Sequence, residues 1–205
     1  MTAPFARIVT VALGGVALLG LSACGLQQPY PAKSFYTIEV APPAAVEPGE
    51  DHGALRVAQV RIASPFDERA FHYQKASQRF EADYYVNFIT DPANIITGTL
   101  IDWLSREGSF ATVVDGSSPV QTSRTLEGRI SALYGDYRQP RAPKAVVRAK
   151  FFLLDESGAD ARVLFSREYE QVEPMSKMAP DALIDAWGRA LERIYDALVR
   201  DISSH

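Results

Sequence analysis

Seven apolar residues near the carboxyl terminus, Leu183, Trp187, Ala190, Leu191, Ile194, Leu198 and Ile202, recur at the 3.6-residue period of an α-helix. Pro180 suits the first turn, and the opposite face carries Asp181, Asp185, Arg189, Glu192, Arg193, Asp196 and Arg200. A helix of about six turns with one continuous apolar stripe gains most of its stability by burying that stripe against another layer. The rest of the chain must supply a broad apolar surface.

Three consecutive segments just before it do so. Arg124 to Tyr137, "RTLEGRISALYGDY", sets Leu126, Gly128, Ile130 and Ala132 against Glu127, Arg129 and Ser131. Lys144 to Asp155, "KAVVRAKFFLLD", sets Ala145, Val147, Ala149, Phe151 and Leu153 against Val146, Arg148, Lys150, Phe152 and Leu154. After the "DESGAD" turn, "ARVLFSREYEQVE" returns as the hairpin partner. Period-two alternation predicts strands, and the basic residues on one face of the middle strand predict a sheet covered on one side and wet on the other.

The first half follows the same grammar. Lys33 to Val40, "KSFYTIEV", reads as a strand, and the Pro- and acid-rich "APPAAVEPGEDHG", 41–53, as a loop. "ALRVAQVRIA", 54–63, alternates Leu55, Val57 and Gln59 against Arg56, Ala58 and Val60, and Ser64-Pro65 stops it. Two short aromatic runs between Ala70 and Phe88 predict a hairpin. A helix follows: Asp91 can cap it, Pro92 fits its first turn, Gly108 ends it, and Ile96, Leu100, Trp103 and Leu104 form its apolar face. "SFATVVDG" reads as a further strand. The expected fold is therefore α+β: one domain, residues 33–205, built as a two-layer sandwich, a mostly antiparallel sheet with two main helices on one face.

The amino terminus belongs to no such layer. Arg7 precedes a run from Ile8 to Ala23 without a charged side chain, about 24 Å long as a helix and short of the roughly 30 Å bilayer core. A positive residue, a short apolar run and small residues at its end mark a secretory signal peptide. Leu21-Ser22-Ala23-Cys24 resembles a bacterial lipobox. Cleavage between Ala23 and Cys24 would remove residues 1–23, and acylation of Cys24, the only cysteine, would consume its thiol. Two or three acyl chains such as palmitate anchor stably, where one does not. Residues 24–32 then form a short tether. Gly25 stands where, in enterobacteria, an Asp retains lipoproteins at the inner membrane, so it points to the outer membrane, with the domain in the periplasm.

Little in the chain suggests catalysis. Three histidines, His52, His72 and His205, have no metal-ligand spacing, and no nucleophile elbow, phosphate loop or dinucleotide glycine motif occurs. The carboxylates of "DESGAD" lack the spacing of a calcium loop. A net charge of −4 argues against nucleic acid as a partner. No catalytic residue, metal or cofactor is expected. Tyr84, Tyr85 and Phe88 are sheet or core residues on the simplest view, and otherwise the candidates for touching a partner or lipid.

The order of these features resembles a known family. A lipobox, then "SFYTIEV", "LRVAQVRIASPFDERAFHYQ", "ADYYVNFITDPANIITGTLIDWL", "LEGRISALYGDY", "AVVRAKFFLLDESGADARVLFSREYE" and a closing amphipathic helix resemble the ABC-type transport auxiliary lipoproteins, the paraquat-inducible protein C-like group, from about Phe35 to Ile202. The chain departs from that pattern where Phe88-Ile89-Thr90 replaces a Trp-containing step and Asp91 replaces Glu. The resemblance implies a non-catalytic subunit that docks an Mce-domain protein beside an ABC permease and ATPase moving phospholipid between the two membranes, with self-association into a ring within the family's range. Two other readings compete: an assembly lipoprotein of another envelope machine, such as lipopolysaccharide or secretin assembly, and a lipidated hydrolase using His72 and Ser117.

Overall fold

The computed structural model describes residues 31–44 and 53–203. The chain divides into two units, and every element below belongs to the second, Lys33–His205. The signal run, Ala23, Cys24, Gly25, His52 and His205 lie outside the described residues.

Among the described residues, nine strands and two helices follow one another as β1 (Ser34–Tyr36), β2 (Ala54–Val57), β3 (Arg61–Ile62), β4 (Ala70–Ala76), β5 (Arg79–Phe88), α1 (Pro92–Glu107), β6 (Thr112–Asp115), β7 (Arg124–Asp136), β8 (Lys144–Asp155), β9 (Arg162–Pro174) and α2 (Pro180–Ile202). β7 is the spine of a single sheet. Along one edge it pairs antiparallel with β8 over its whole length, and β8 pairs with β9. Along its other edge lie β2, β3 and β4 in turn, all parallel to it. β6 extends the sheet beyond β2, and β5 then β1 extend it beyond β4. The sheet is thus mixed, and antiparallel in its long C-terminal meander.

The fold is the expected α+β layer pair. Trp187, Leu191, Ile194 and Leu198 of α2 are fully buried, packed on the face that carries Ile130, Ala149 and Phe151. Trp187 meets Phe71 edge-on at 5.1 Å and stacks on Phe88 at 5.6 Å, tying α2 to the β4–β5 hairpin. The buried Tyr195 hydroxyl bonds the Ile96 carbonyl at 3.2 Å and lies 3.0 Å from the Thr99 hydroxyl, which joins the helices. Gly108 closes α1 at φ 85°, a left-handed conformation that favours glycine.

Local details differ from the sequence expectation wherever the chain leaves regular pairing. "KSFYTIEV" is a strand only over Ser34–Tyr36; beyond it, Ile38 is buried and the Glu39 carbonyl approaches α2 at Gly188. "ALRVAQVRIA" breaks between β2 and β3, so Val60, not Gln59, faces the core; the Val60 amide donates to the Thr97 hydroxyl of α1 at 2.9 Å. A register shift between Ile130 and Ala132 reverses the alternation of β7: Leu133 and Tyr137 join the main core cluster, and Ala132 stays buried, 4 % exposed, outside that cluster. Asp91 sits at the N-cap without a side-chain bond; its carbonyl instead accepts from the Asn94 and Ile95 amides.

Candidate functional site

The β4–β5 hairpin contains an irregularity that decides what its aromatic residues can do. Ala70 pairs with Asn87 and His72 with Ala82, so four residues of β5 (83–86) face the single Phe71 of β4. A bulge of this size must bend the strand outward and reaim its side chains. Asp83 pins it. One carboxylate oxygen accepts the amides of Tyr85 at 2.8 Å and Val86 at 3.1 Å, and the other accepts the Tyr73 hydroxyl at 3.1 Å. Burial first, and the Asp83 charge second, push the Tyr73 hydroxyl far above its usual titration range, so it remains a hydrogen-bond donor.

The bulge separates the three aromatic candidates. Tyr84 projects from it and is 70 % exposed, with the half-buried Tyr85 ring edge-on to it at 5.1 Å. Phe88, back in regular pairing, is 1 % exposed between Phe71 at 4.6 Å and Trp187. It belongs to the core, because its ring fills the space under α2; of the three, Tyr84 and Tyr85 alone face outward.

Residues that the sequence did not single out complete this edge. Phe35 of β1 and Ile89 just after β5 are 54 % and 61 % exposed. The Arg69 guanidinium lies 5.7 Å from the Phe35 ring and donates to the carbonyls of Phe88 and Ile89 at 2.9 and 2.6 Å. Lys33 stands over the Tyr84 ring at 4.3 Å. Exposed aromatic faces each capped by a cation form an amphipathic surface, with apolar rings in reach and charges that stay hydrated. The signal was present as the aromatic richness of 33–36 and 84–89, but only the parallel β1–β5 register brings the two stretches together.

Elsewhere the candidate chemistry separates. His72 is buried on β4 against the Phe66 ring, with Glu68 at 4.0 Å; burial outweighs that carboxylate and holds the imidazole below its ordinary titration range. Ser117 follows β6, with β7 and β2 lying between that strand and β4, and its amide and hydroxyl are both spent on the Asp115 carboxylate. The two form no nucleophile–base pair. In the "DESGAD" turn, Asp155 holds Ser157 and Arg162, and these contacts lower its carboxyl to about 2. Among the described residues no group of His, Cys, Asp or Glu is arranged to hold a metal ion, and no helix is long and apolar enough to cross a membrane.

Comparison with known proteins adds the following. The family model described as ABC-type transport auxiliary lipoprotein component matches residues 36–199. No curated protein matches the chain. Among solved structures, a Xanthomonas campestris protein of the DUF330 family superposes with a TM-score of 0.68 at 19 % identity, over 81 % of this chain and 92 % of that one. A second crystal structure gives 0.66 at 16 % identity, over 83 % and 99 %. At such identities the likeness is one of fold.

Proposed function

This chain belongs to the ABC-type transport auxiliary lipoprotein component family, and we propose that it serves there as an outer-membrane-anchored periplasmic subunit that docks an Mce-domain protein without catalysing a reaction. Cys24 carries the acyl anchor after cleavage behind Ala23, residues 24–32 are the tether, and Gly25 directs the chain to the outer membrane.

Support comes from the place where the chain enters the fold. Lys33 begins the domain, and it is itself part of the exposed edge with Phe35, Tyr84 and Ile89. Nine tether residues reach at most about 30 Å, so an anchored Cys24 would hold this edge within that distance of the lipid surface. A tethered domain of this kind works by presenting a surface, because the anchor raises the local concentration of its site for a partner. The histidine and serine that a hydrolase would need are far apart in the sheet, which favours a docking role.

The direct test is affinity capture of the tagged full chain from membranes. Co-purification of an Mce-domain protein with an ABC permease and ATPase is expected; recovery of none of them overturns the transport role. Cys24→Ser should abolish palmitate labelling and leave the signal peptide uncleaved, whereas unchanged labelling would overturn the anchor. Gly25→Asp should shift the chain toward the inner-membrane fraction, and an unchanged distribution would count against outer-membrane sorting.

A further inference from the structure

Opposite charges face one another across the β8–β9 ladder. Arg148 of β8 stands opposite Glu170 of β9 and bonds it at 3.0 Å, and Asp155 stands opposite Arg162 at 2.8 Å. One transverse row breaks this pattern. Arg61 of β3 is the register neighbour of Arg129 of β7, and Arg129 is the register neighbour of Lys150 of β8. Three cations therefore stand side by side on three adjacent strands, an arrangement that costs stability because like charges directly across a ladder repel.

Two carboxylates, one at each end of the row, offset that cost only in part. Glu127 lies 3.5 Å from Arg61. Lys150 rests over the Phe152 ring at 4.8 Å. Glu168, the next residue in the row on β9, pairs with Arg148 at 3.7 Å. The row forms one wall of a concavity of about 470 Å³, completed by Glu127, which pairs with Arg61, by Gly128, and by Phe152, Leu154 and the 57 % exposed Val163. A smaller depression of about 300 Å³ beside Ala58 and Gln59 shares Arg61, Glu127 and Gly128 with it.

We propose that this concavity binds an amphiphilic oxyanion, with a phosphate or carboxylate head among Arg61, Arg129 and Lys150 and a hydrocarbon tail along Phe152, Leu154 and Val163. The charges call for an anion, since a bound oxyanion turns three mutually repelling cations into shared partners of one ligand. Two guanidinium groups offer paired N–H donors suited to a phosphate or carboxylate, and Lys150 adds a point charge. The apolar side chains beyond them would be wasted on a bare inorganic ion, but they give a chain of methylenes a dry surface. The site lies on the β3–β7–β8 part of the sheet, apart from the β1–β5 edge, and stands or falls separately from the docking role.

The test uses the full-length anchored chain in dodecyl maltoside micelles, titrated with hexyl phosphate, hexanoate, inorganic phosphate and hexanol and followed by NMR of the Arg and Lys side chains. Hexyl phosphate or hexanoate should bind about tenfold or more tightly than inorganic phosphate, the gain expected from burying two or three methylenes. Preference for hexyl phosphate assigns a phosphate head, and preference for hexanoate a carboxylate. The double variant R129Q/K150Q should weaken binding by at least about tenfold through loss of two charge-assisted contacts. Its thermal stability should be unchanged or higher, because the repelling row is relieved. V163N should weaken the amphiphiles but not inorganic phosphate. Equal affinity for inorganic phosphate and hexyl phosphate, unaltered binding by R129Q/K150Q, or saturation by an oligoglutamate peptide with no amphiphile bound would each overturn the proposal.

Discussion

The carbonyl oxygen of Glu39 lies 2.5 Å from the point where a β-carbon on residue 188 would stand. Gly188 sits in the buried stripe of α2, and the segment after β1 crosses the helix there at a distance that only glycine permits. The contact locks the first described segment of the domain onto its last helix.

Gly188→Ala tests that lock. Alanine favours a helix interior over glycine by about 1 kcal/mol, whereas forcing a β-carbon into a filled space costs about 1–3 kcal/mol. Since the obstacle is backbone, the steric cost should win. We expect a net loss of about 1–2 kcal/mol, read as a melting temperature lower by roughly 2–6 °C. A variant as stable as the parent would show that the crossing segment yields freely.

The two aromatic residues Tyr84 and Phe88, four positions apart, should respond in opposite ways. Phe88→Ala empties a site between Phe71 and Trp187 and should cost about 3–5 kcal/mol in denaturant unfolding. Tyr84→Ser should stay within about 0.5 kcal/mol of the parent, as exposed substitutions do. It should nevertheless reduce capture of the proposed Mce-domain partner, more so when combined with Phe35→Ser. Full capture by the pair would remove the exposed edge from the docking surface.

Asp83 should prove the structural key to that edge. Asp83→Ala deprives two amides and the Tyr73 hydroxyl of their acceptor, at about 1–3 kcal/mol. A double-mutant cycle with Tyr73→Phe should give a coupling of about 0.5–1.5 kcal/mol, the size of one hydrogen bond. Additive losses would mean that the Tyr73 contact does not hold the bulge.

His72 predicts a pH dependence whose sign follows from burial. In the unfolded chain it titrates near 6.5, and in the fold it titrates lower, against Phe66 and despite Glu68 and Asp67. The unfolded state thus binds the extra proton first. The stability contributed by neutral His72 is complete above about pH 7 and falls as the pH drops through 6.5 toward the folded value. His72→Gln should flatten this limb in urea unfolding between about pH 7.5 and 5. Parallel curves for the two proteins would contradict the assignment.

Regular periodicity was the part of the fold that the sequence could declare for itself. The seven-residue stripe of α2 is fully buried throughout, and β8 alternates Ala145, Val147, Ala149, Phe151 and Leu153 inward as its spacing requires. These long elements repeat one local rule over many residues, so no single tertiary contact can reverse them. The α+β layering follows from the same patterns. The proposed lipobox is likewise a pattern of consecutive residues, so the expectation for Cys24 draws on no tertiary contact.

What tertiary structure alone decided lies where that periodicity breaks or where distant strands meet. Nothing local separates Tyr84 from Phe88; the bulge held by Asp83 turns one outward and leaves the other under Trp187. The break between β2 and β3 exchanged Gln59 for Val60 in the core, and a one-residue shift in β7 brought Leu133 into the main core cluster while Ala132 stayed buried outside it. In a strand, each slip by one residue sends every following side chain to the other face. The row Arg61, Arg129 and Lys150 could not be read from the chain at all. Each residue is an ordinary outward-facing charge in its own strand, and only the pairing of β3, β7 and β8 makes them neighbours.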